Sequence, residues 1–210
     1  MSLHRGTTLK GYDVTTHIHL VRHGRHALLG RVLCGRMHGV QLDERGCEQM
    51  KAAAEMLKLA APQALRSSPQ RRALQSATII TATLRLPIEI VPAFDEIDMG
   101  PWTGMEFSKL AEDWRWLQWN ERRGSITPPE GESMAALQRR VVGYVEQLRL
   151  HEGSIVIVSH AEPIRAALMH YLGIPLDLFH SIEIDPASVS TISFEGKQAV
   201  VSRVNHGVTA

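Results

Sequence analysis

Apolar and polar positions along this chain fall into blocks that switch repeatedly between strand and helix character. Residues 17–22 are apolar enough, with branched side chains at Ile18 and Val21, to form a buried strand, and Gly24 permits a turn at its end. Asp43 is placed to cap a helix from Glu44, in which Met50, Ala53, Ala54 and Leu57 recur at helical spacing and Gly46 is a weak spot. A short strand at Ala64–Ser67 precedes Pro69, a second helix spans Arg71–Leu84, and a third strand covers 88–91. Residues 92–104, punctuated by Pro92, Gly100, Pro101 and Gly104, are a loop that carries Glu96 and Asp98. Helical stretches at 105–121 and 133–150, the second capped by Ser133, flank a turn-rich segment at 127–131. The run 154–159 needs no polar alternation if it is a central strand covered on both faces, and it leads straight into His160. A helix at 163–171 follows, and 189–194 with 199–204 form a closing hairpin. This alternation predicts an α/β fold with a parallel sheet covered by helices.

Composition narrows the classes that this pattern serves. The 210 residues, 44% of them hydrophobic, are enough for one sizeable core. A formal net charge of +1 gives no concentrated positive field, so neither nucleic acid nor a membrane surface is an expected partner. Cys34 and Cys47 are too few for a disulfide framework and lack zinc-site spacing, so a reducing cytoplasm is the expected location. Residues 1–15 are polar and read as a loose arm rather than a signal peptide.

Two histidines occupy equivalent places. His23 and His160 each follow a hydrophobic strand directly, which in a parallel sheet puts both at its carboxyl edge, where α/β proteins build sites. Arg22 stands beside His23, and Arg72 lies shortly after the strand end at Ser67. Cationic groups gathered at one sheet edge make an oxyanion pocket. Phosphoryl transfer suits such a pocket, because arginine forks and a protonated histidine hold the equatorial oxygens without a metal. A neutral imidazole at His23 supplies a nucleophile, and a carboxylic acid kept protonated by partial burial, best matched by Glu96, supplies the leaving group's proton.

These residues stand in four segments that resemble the histidine phosphatase superfamily, which also holds the cofactor-dependent phosphoglycerate mutases. The segments are Leu20-Val21-Arg22-His23-Gly24, 67–77 with Arg72 before Ala73, 94–104 with Glu96, and Val158-Ser159-His160-Ala161 with Arg165 downstream. The resemblance covers roughly residues 16–205. It implies one domain over 1–210, built as a three-layer α/β/α sandwich with a mostly parallel sheet, helices on both faces and a lid-like insertion at 105–132. It further implies a phosphorylated His23, phosphate held by Arg22, Arg72 and His160, and Glu96 as the acid. The expected activity is hydrolysis of a small phosphorylated metabolite, with no cofactor and no metal. Cys34 and Gly35 match a pair that touches substrate in the family, Ala161 replaces a frequent glycine, and Trp114 is a candidate lid contact. His26 and Leu29 stand where the family often has threonine and asparagine, which makes His26 a candidate substitute donor. Residues 128–133 match a family loop that capping explains as well as catalysis.

Other readings stay open at this point. A mutase-type phosphotransferase shares the machinery, although residues 105–127 leave little room for the mutases' longer insertion. A noncatalytic phosphate-binding regulatory module would keep the fold and lose turnover. His17 and His19 face the same way on a strand, as paired metal ligands do, but the (β/α)8 barrel of such enzymes needs about 250 residues. Leu168, Met169, Tyr171 and the hairpin are candidate contacts for a homodimer, and core packing accounts for them too.

Overall fold

The computed structural model describes residues 15–196 and 198–207, so the expected N-terminal arm lies outside the described residues except at Thr15. Six strands form one sheet: β1 (Thr15–Arg22), β2 (Ala64–Ser67), β3 (Ile88–Ile90), β4 (Gly153–Ser159), β5 (Val189–Glu195) and β6 (Gln198–His206). Their spatial order is β3, β2, β4, β1, β5, β6. The first four in that order pair in parallel, whereas β5 runs antiparallel to both β1 and β6. The sheet is thus mixed, with a parallel block extended by the C-terminal hairpin.

The helices are α1 (Glu44–Lys58), α2 (Arg71–Leu84), α3 (Phe107–Leu110), α4 (Trp114–Glu121), α5 (Met134–Leu148) and α6 (Ala161–Leu172). Alternate residues of the central strands serve opposite faces, as the pleat requires. Ile155 and Ile157 of β4, with Ile18 and Leu20 of β1, pack into the core under α5 and α6. Val156 and Val158, with Val21, pack into the second core under α1 and α2. Both faces of the sheet are therefore covered, which explains why 154–159 lacks polar alternation.

Several boundaries differ from the sequence expectation for identifiable reasons. β1 starts two residues before 17 because the hydroxyl of Thr16, buried in the strand, donates to the Arg149 and His151 carbonyls at 2.9 and 2.6 Å. The expected helix at 105–121 is two helices, since the Asp113 side chain accepts from Arg115 N and so starts α4 afresh. Helix α6 begins at Ala161 rather than 163, with Pro163 in a first turn whose N–H groups need no helical partner. Residues 92–104 hold two short 3-10 turns, Pro92–Phe94 and Gly100–Trp102, in an otherwise extended loop. Leu168 and Met169, considered as dimer contacts, are fully buried in the core.

Gly46 has a packing role that overrides its poor helix propensity. A Cβ there would lie 2.0 Å from the Arg25 carbonyl oxygen, and one on Gly24 would lie 2.4 Å from the Gly46 carbonyl oxygen. The start of α1 thereby approaches the loop after β1 backbone to backbone. Gly46→Ala is expected to cost roughly 1–3 kcal/mol, since neither backbone can yield locally. Urea unfolding tests this, and an unchanged midpoint would contradict the tight contact.

Candidate active site

Strand register alone brings the two histidines together. Arg22 and Ser159 are the last register partners of the parallel pair β1 and β4, and the His23 amide still donates to the Ser159 carbonyl at 2.9 Å. His23 and His160 come next on each chain, with ring centroids 5.1 Å apart. On the other side of β4, β2 ends at Ser67 and the chain enters α2, whose second residue is Arg72. Arg72 is buried, whereas Arg71 is exposed.

Hydrogen bonds fix the His23 tautomer. Nδ1 lies 2.8 Å from the Gly24 carbonyl oxygen, which can only accept, so Nδ1 carries the proton. Nε2 then bears the lone pair, toward which Arg72 Nε donates at 3.3 Å. Burial, then the charges of Arg72 and Arg22, hold the His23 pKa well below its ordinary value, so the ring is neutral near pH 7. His160 is likewise kept neutral, first by burial and then by Arg72 and His23. His160 Nε2 lies 2.8 Å from Ser68 Oγ, and its Nδ1 is 3.9 Å from Glu96 Oε2.

The arginines are anchored and yet keep donors in reserve. Arg22 Nη1 donates to the Ile184 carbonyl at 2.6 Å, and Arg72 Nη2 to the Gly35 carbonyl at 2.7 Å. Arg22 Nε, Arg72 Nη1, His160 Nδ1 and His26 Nδ1 are all buried without a hydrogen-bond partner in the protein. Buried polar atoms are nearly always paired, so four orphans around one imidazole call for a polar occupant.

Glu96 is the buried carboxyl of the site. Oε1 accepts from Ile97 N at 2.9 Å, and burial, reinforced by the nearby Glu162 carboxylate, pushes its pKa up to about 8. Its main chain is held separately: the Glu96 carbonyl accepts from Arg36 Nε at 2.8 Å and Arg140 Nη2 at 3.2 Å. Glu132 bridges those two arginines, meeting Arg140 at 2.7 and 2.8 Å and Arg36 at 3.1 Å. The loop at 128–133 therefore supports the acid loop, while Ser133 caps α5 through Ala136 N at 3.2 Å.

Part of this cluster opens onto a cavity of about 280 Å³, whereas Arg72 and His160 lie outside its lining. Arg22, His23, Glu96, His26, Cys34, Gly35 and Ala161 line it, together with Leu29. Trp114, the candidate lid contact, does not: it is 65% exposed and outside the lining. Phe107 takes that place, because residues 104–107 pair with 31–33 through Gly104 N to Leu33 O and Phe107 N to Arg31 O. Trp116 and Trp119 instead stack on Trp102 at 5.4 and 6.0 Å, anchoring the segment to the core. His17 and His19 are remote from this cavity, bonded to Ser193, Thr191 and Ser154. Among the described residues, no cluster of three or more His, Cys, Asp or Glu stands ready to hold a metal ion.

Comparison with known proteins agrees with this arrangement. The model of the histidine phosphatase superfamily, branch 1, matches residues 18–207. The chain belongs to that superfamily. It is 33% identical over 180 residues to phosphoserine phosphatase 1 of Hydrogenobacter thermophilus, covering 81% of this chain and 84% of that protein. It is 29% identical over 178 residues to the 2,3-bisphosphoglycerate-dependent phosphoglycerate mutase of Thermoplasma acidophilum, covering 84% and 86%. The solved structure of Bacillus stearothermophilus YhfR superposes with a TM-score of 0.85 at 23% identity, covering 91% of this chain and 97% of that one.

Within this histidine phosphatase fold, sequence reading overlooked one group of residues and assigned no contact to a second. The Arg36, Glu132 and Arg140 clamp joins three segments, and no spacing along the chain announces such a meeting. Glu162 and Arg165 line the cavity beside Ala161, and Arg123 lies behind them. The signal for the second group was Arg165, downstream of His160 in the same segment.

Proposed function

We propose that this protein is a metal-independent phosphomonoesterase that hydrolyses a small phosphorylated metabolite through a phosphohistidine at His23. The reading is carried by the unpartnered polar atoms of Arg22, Arg72 and His160 beside His23, whose Nε2 lone pair meets only a long contact from Arg72 Nε at 3.3 Å. A phosphoryl group seated there has its equatorial oxygens met by both arginines, and its dianion favours protonation of His160, adding a further charged donor. His23 Nε2 attacks phosphorus as the ester P–O bond breaks, and protonated Glu96 gives its proton to the departing alkoxide. In the second step Glu96, now a carboxylate, takes a proton from water as the water oxygen attacks the phosphohistidine. Inorganic phosphate leaves, and His23 and Glu96 return to their starting states. His26, with a pKa lowered to about 4 chiefly by burial, is a neutral polar contact on the rim in this scheme.

The proton inventory sets a pH limit. Because Glu96 titrates near 8, kcat/KM for esters of poor leaving groups is expected to fall as pH rises through about 8. Glycerol phosphate hydrolysis in chelator, followed from about pH 3.5 to 10, measures this, and a falling limb near 4 to 5 would remove Glu96 from the role. The mutase reading draws on the similarity to the Thermoplasma protein. It predicts phosphoryl transfer between phosphoglycerates faster than release of phosphate, which one assay with both readouts decides.

A further inference from the structure

The cavity wall facing the phosphoryl site has two chemically distinct parts. Leu29, Val32, Leu33, Met99 and Phe107 form an apolar side. Glu162 and Arg165, near the start of α6, line the same cavity. A leaving group that fills the cavity meets both kinds of surface.

The Glu162 carboxylate is ionised and deliberately held. Although burial pushes its pKa up, Arg165, Arg123 and Arg22 outweigh burial and bring it below the ordinary value. Arg123 Nη1 lies 3.4 Å and Arg165 Nη1 3.6 Å from Glu162 Oε1. Arg123 is 5% exposed and sandwiched between the rings of Trp119 and Phe179, 3.9 Å from each centroid. It is therefore fixed behind the wall and does not line the cavity. Arg165 is spoken for on three sides, by Glu162, by the Ile182 carbonyl at 2.7 Å and by the Phe179 ring at 4.2 Å. The two charges that line the cavity on this side are thus paired with each other, Glu162 Oε1 also being shared with Arg123 behind the wall.

We infer that Glu162 is a specificity-determining residue that makes the site select phosphate esters with an uncharged, apolar leaving group over esters whose leaving group carries its own anion. This rests on the phosphomonoesterase reading above. A second anion on the Glu162 side of the cavity meets that carboxylate and an arginine already paired with it, and it loses water without a new partner there. An uncharged aryl or alkyl group instead covers the apolar wall. Neutralising Glu162 frees Arg165 to receive an anion, so the discrimination follows from one residue.

Two esters of similar shape test this, phenyl phosphate and 4-carboxyphenyl phosphate, assayed in chelator by phosphate release. The wild type is expected to favour phenyl phosphate by about tenfold in kcat/KM, a difference of ~1.4 kcal/mol. Glu162→Gln, which keeps the shape and loses the charge, is expected to bring the two esters near parity. Comparing the ratio between wild type and variant cancels the intrinsic difference between the two phenols. A wild-type preference for the carboxylated ester would overturn the inference and make Arg165 a carboxylate anchor; this measurement needs no variant. An unchanged ratio in a folded Glu162→Gln protein overturns it as well. If the wild type releases phosphate from neither ester nor from p-nitrophenyl phosphate, the hydrolase reading itself fails, and the inference with it.

Discussion

His23→Ala is expected to lower kcat for p-nitrophenyl phosphate by about 10⁴-fold or more, the scale on which loss of one member of a nucleophilic unit acts. The reason lies in the arrangement of protons. Nδ1 is committed to the Gly24 carbonyl, so the attacking lone pair of Nε2 is available without prior deprotonation, and no neighbouring side chain offers a replacement of that kind at the same point. The ring contributes one main-chain hydrogen bond, so the fold should survive its removal. Rapid quench with labelled substrate provides the second readout. Wild type should accumulate an acid-labile, alkali-stable phosphoenzyme, and His23→Ala should form none. A labelled alanine variant, or one with residual activity within tenfold of wild type, would show that another group attacks.

Glu96→Gln should separate substrates rather than silence the enzyme uniformly. With glycerol phosphate, whose alkoxide cannot leave unprotonated, the loss should reach about 10²- to 10⁴-fold, the range of general acid catalysis. With p-nitrophenyl phosphate the first step needs little protonation, so the loss should be far smaller. The falling limb near pH 8 should disappear at the same time, because the group that titrates there is gone. Equal losses of kcat/KM, which reports only the phosphorylation step, would mean that Glu96 does not protonate the leaving group.

The parts of this protein that were readable from sequence are those governed by short-range rules. Strands buried on both faces declare themselves by uninterrupted apolar runs, as at 154–159, and caps such as Asp43 and Ser133 act within one turn. The meeting of His23 and His160 was legible because both follow strands of a parallel sheet, where a shared edge is built in. Arg72 could be singled out from Arg71 only by family resemblance, since a helix entry gives no rule for which of two adjacent arginines turns inward. What stayed hidden depends on long-range packing. Trp114 looked like the lid contact, but the break at Asp113 rotates it outward while Phe107, seven residues earlier, is drawn to the cavity by pairing with 31–33. The charge state of His160 could not be read either, because neutrality there results from burial among cations brought in by separate segments.

The way Glu96 is mounted has a consequence for how such a site can change over time. Arg36 and Arg140 hold its carbonyl oxygen, not its carboxyl, so the loop keeps its course whatever side chain position 96 presents. The proposed proton donor is thus a replaceable fitting on a fixed bracket. Under the proposed mechanism, a lineage can weaken, strengthen or abandon acid catalysis at this position by single substitutions, while Arg22, His23, Arg72 and His160 keep their places at the sheet edge.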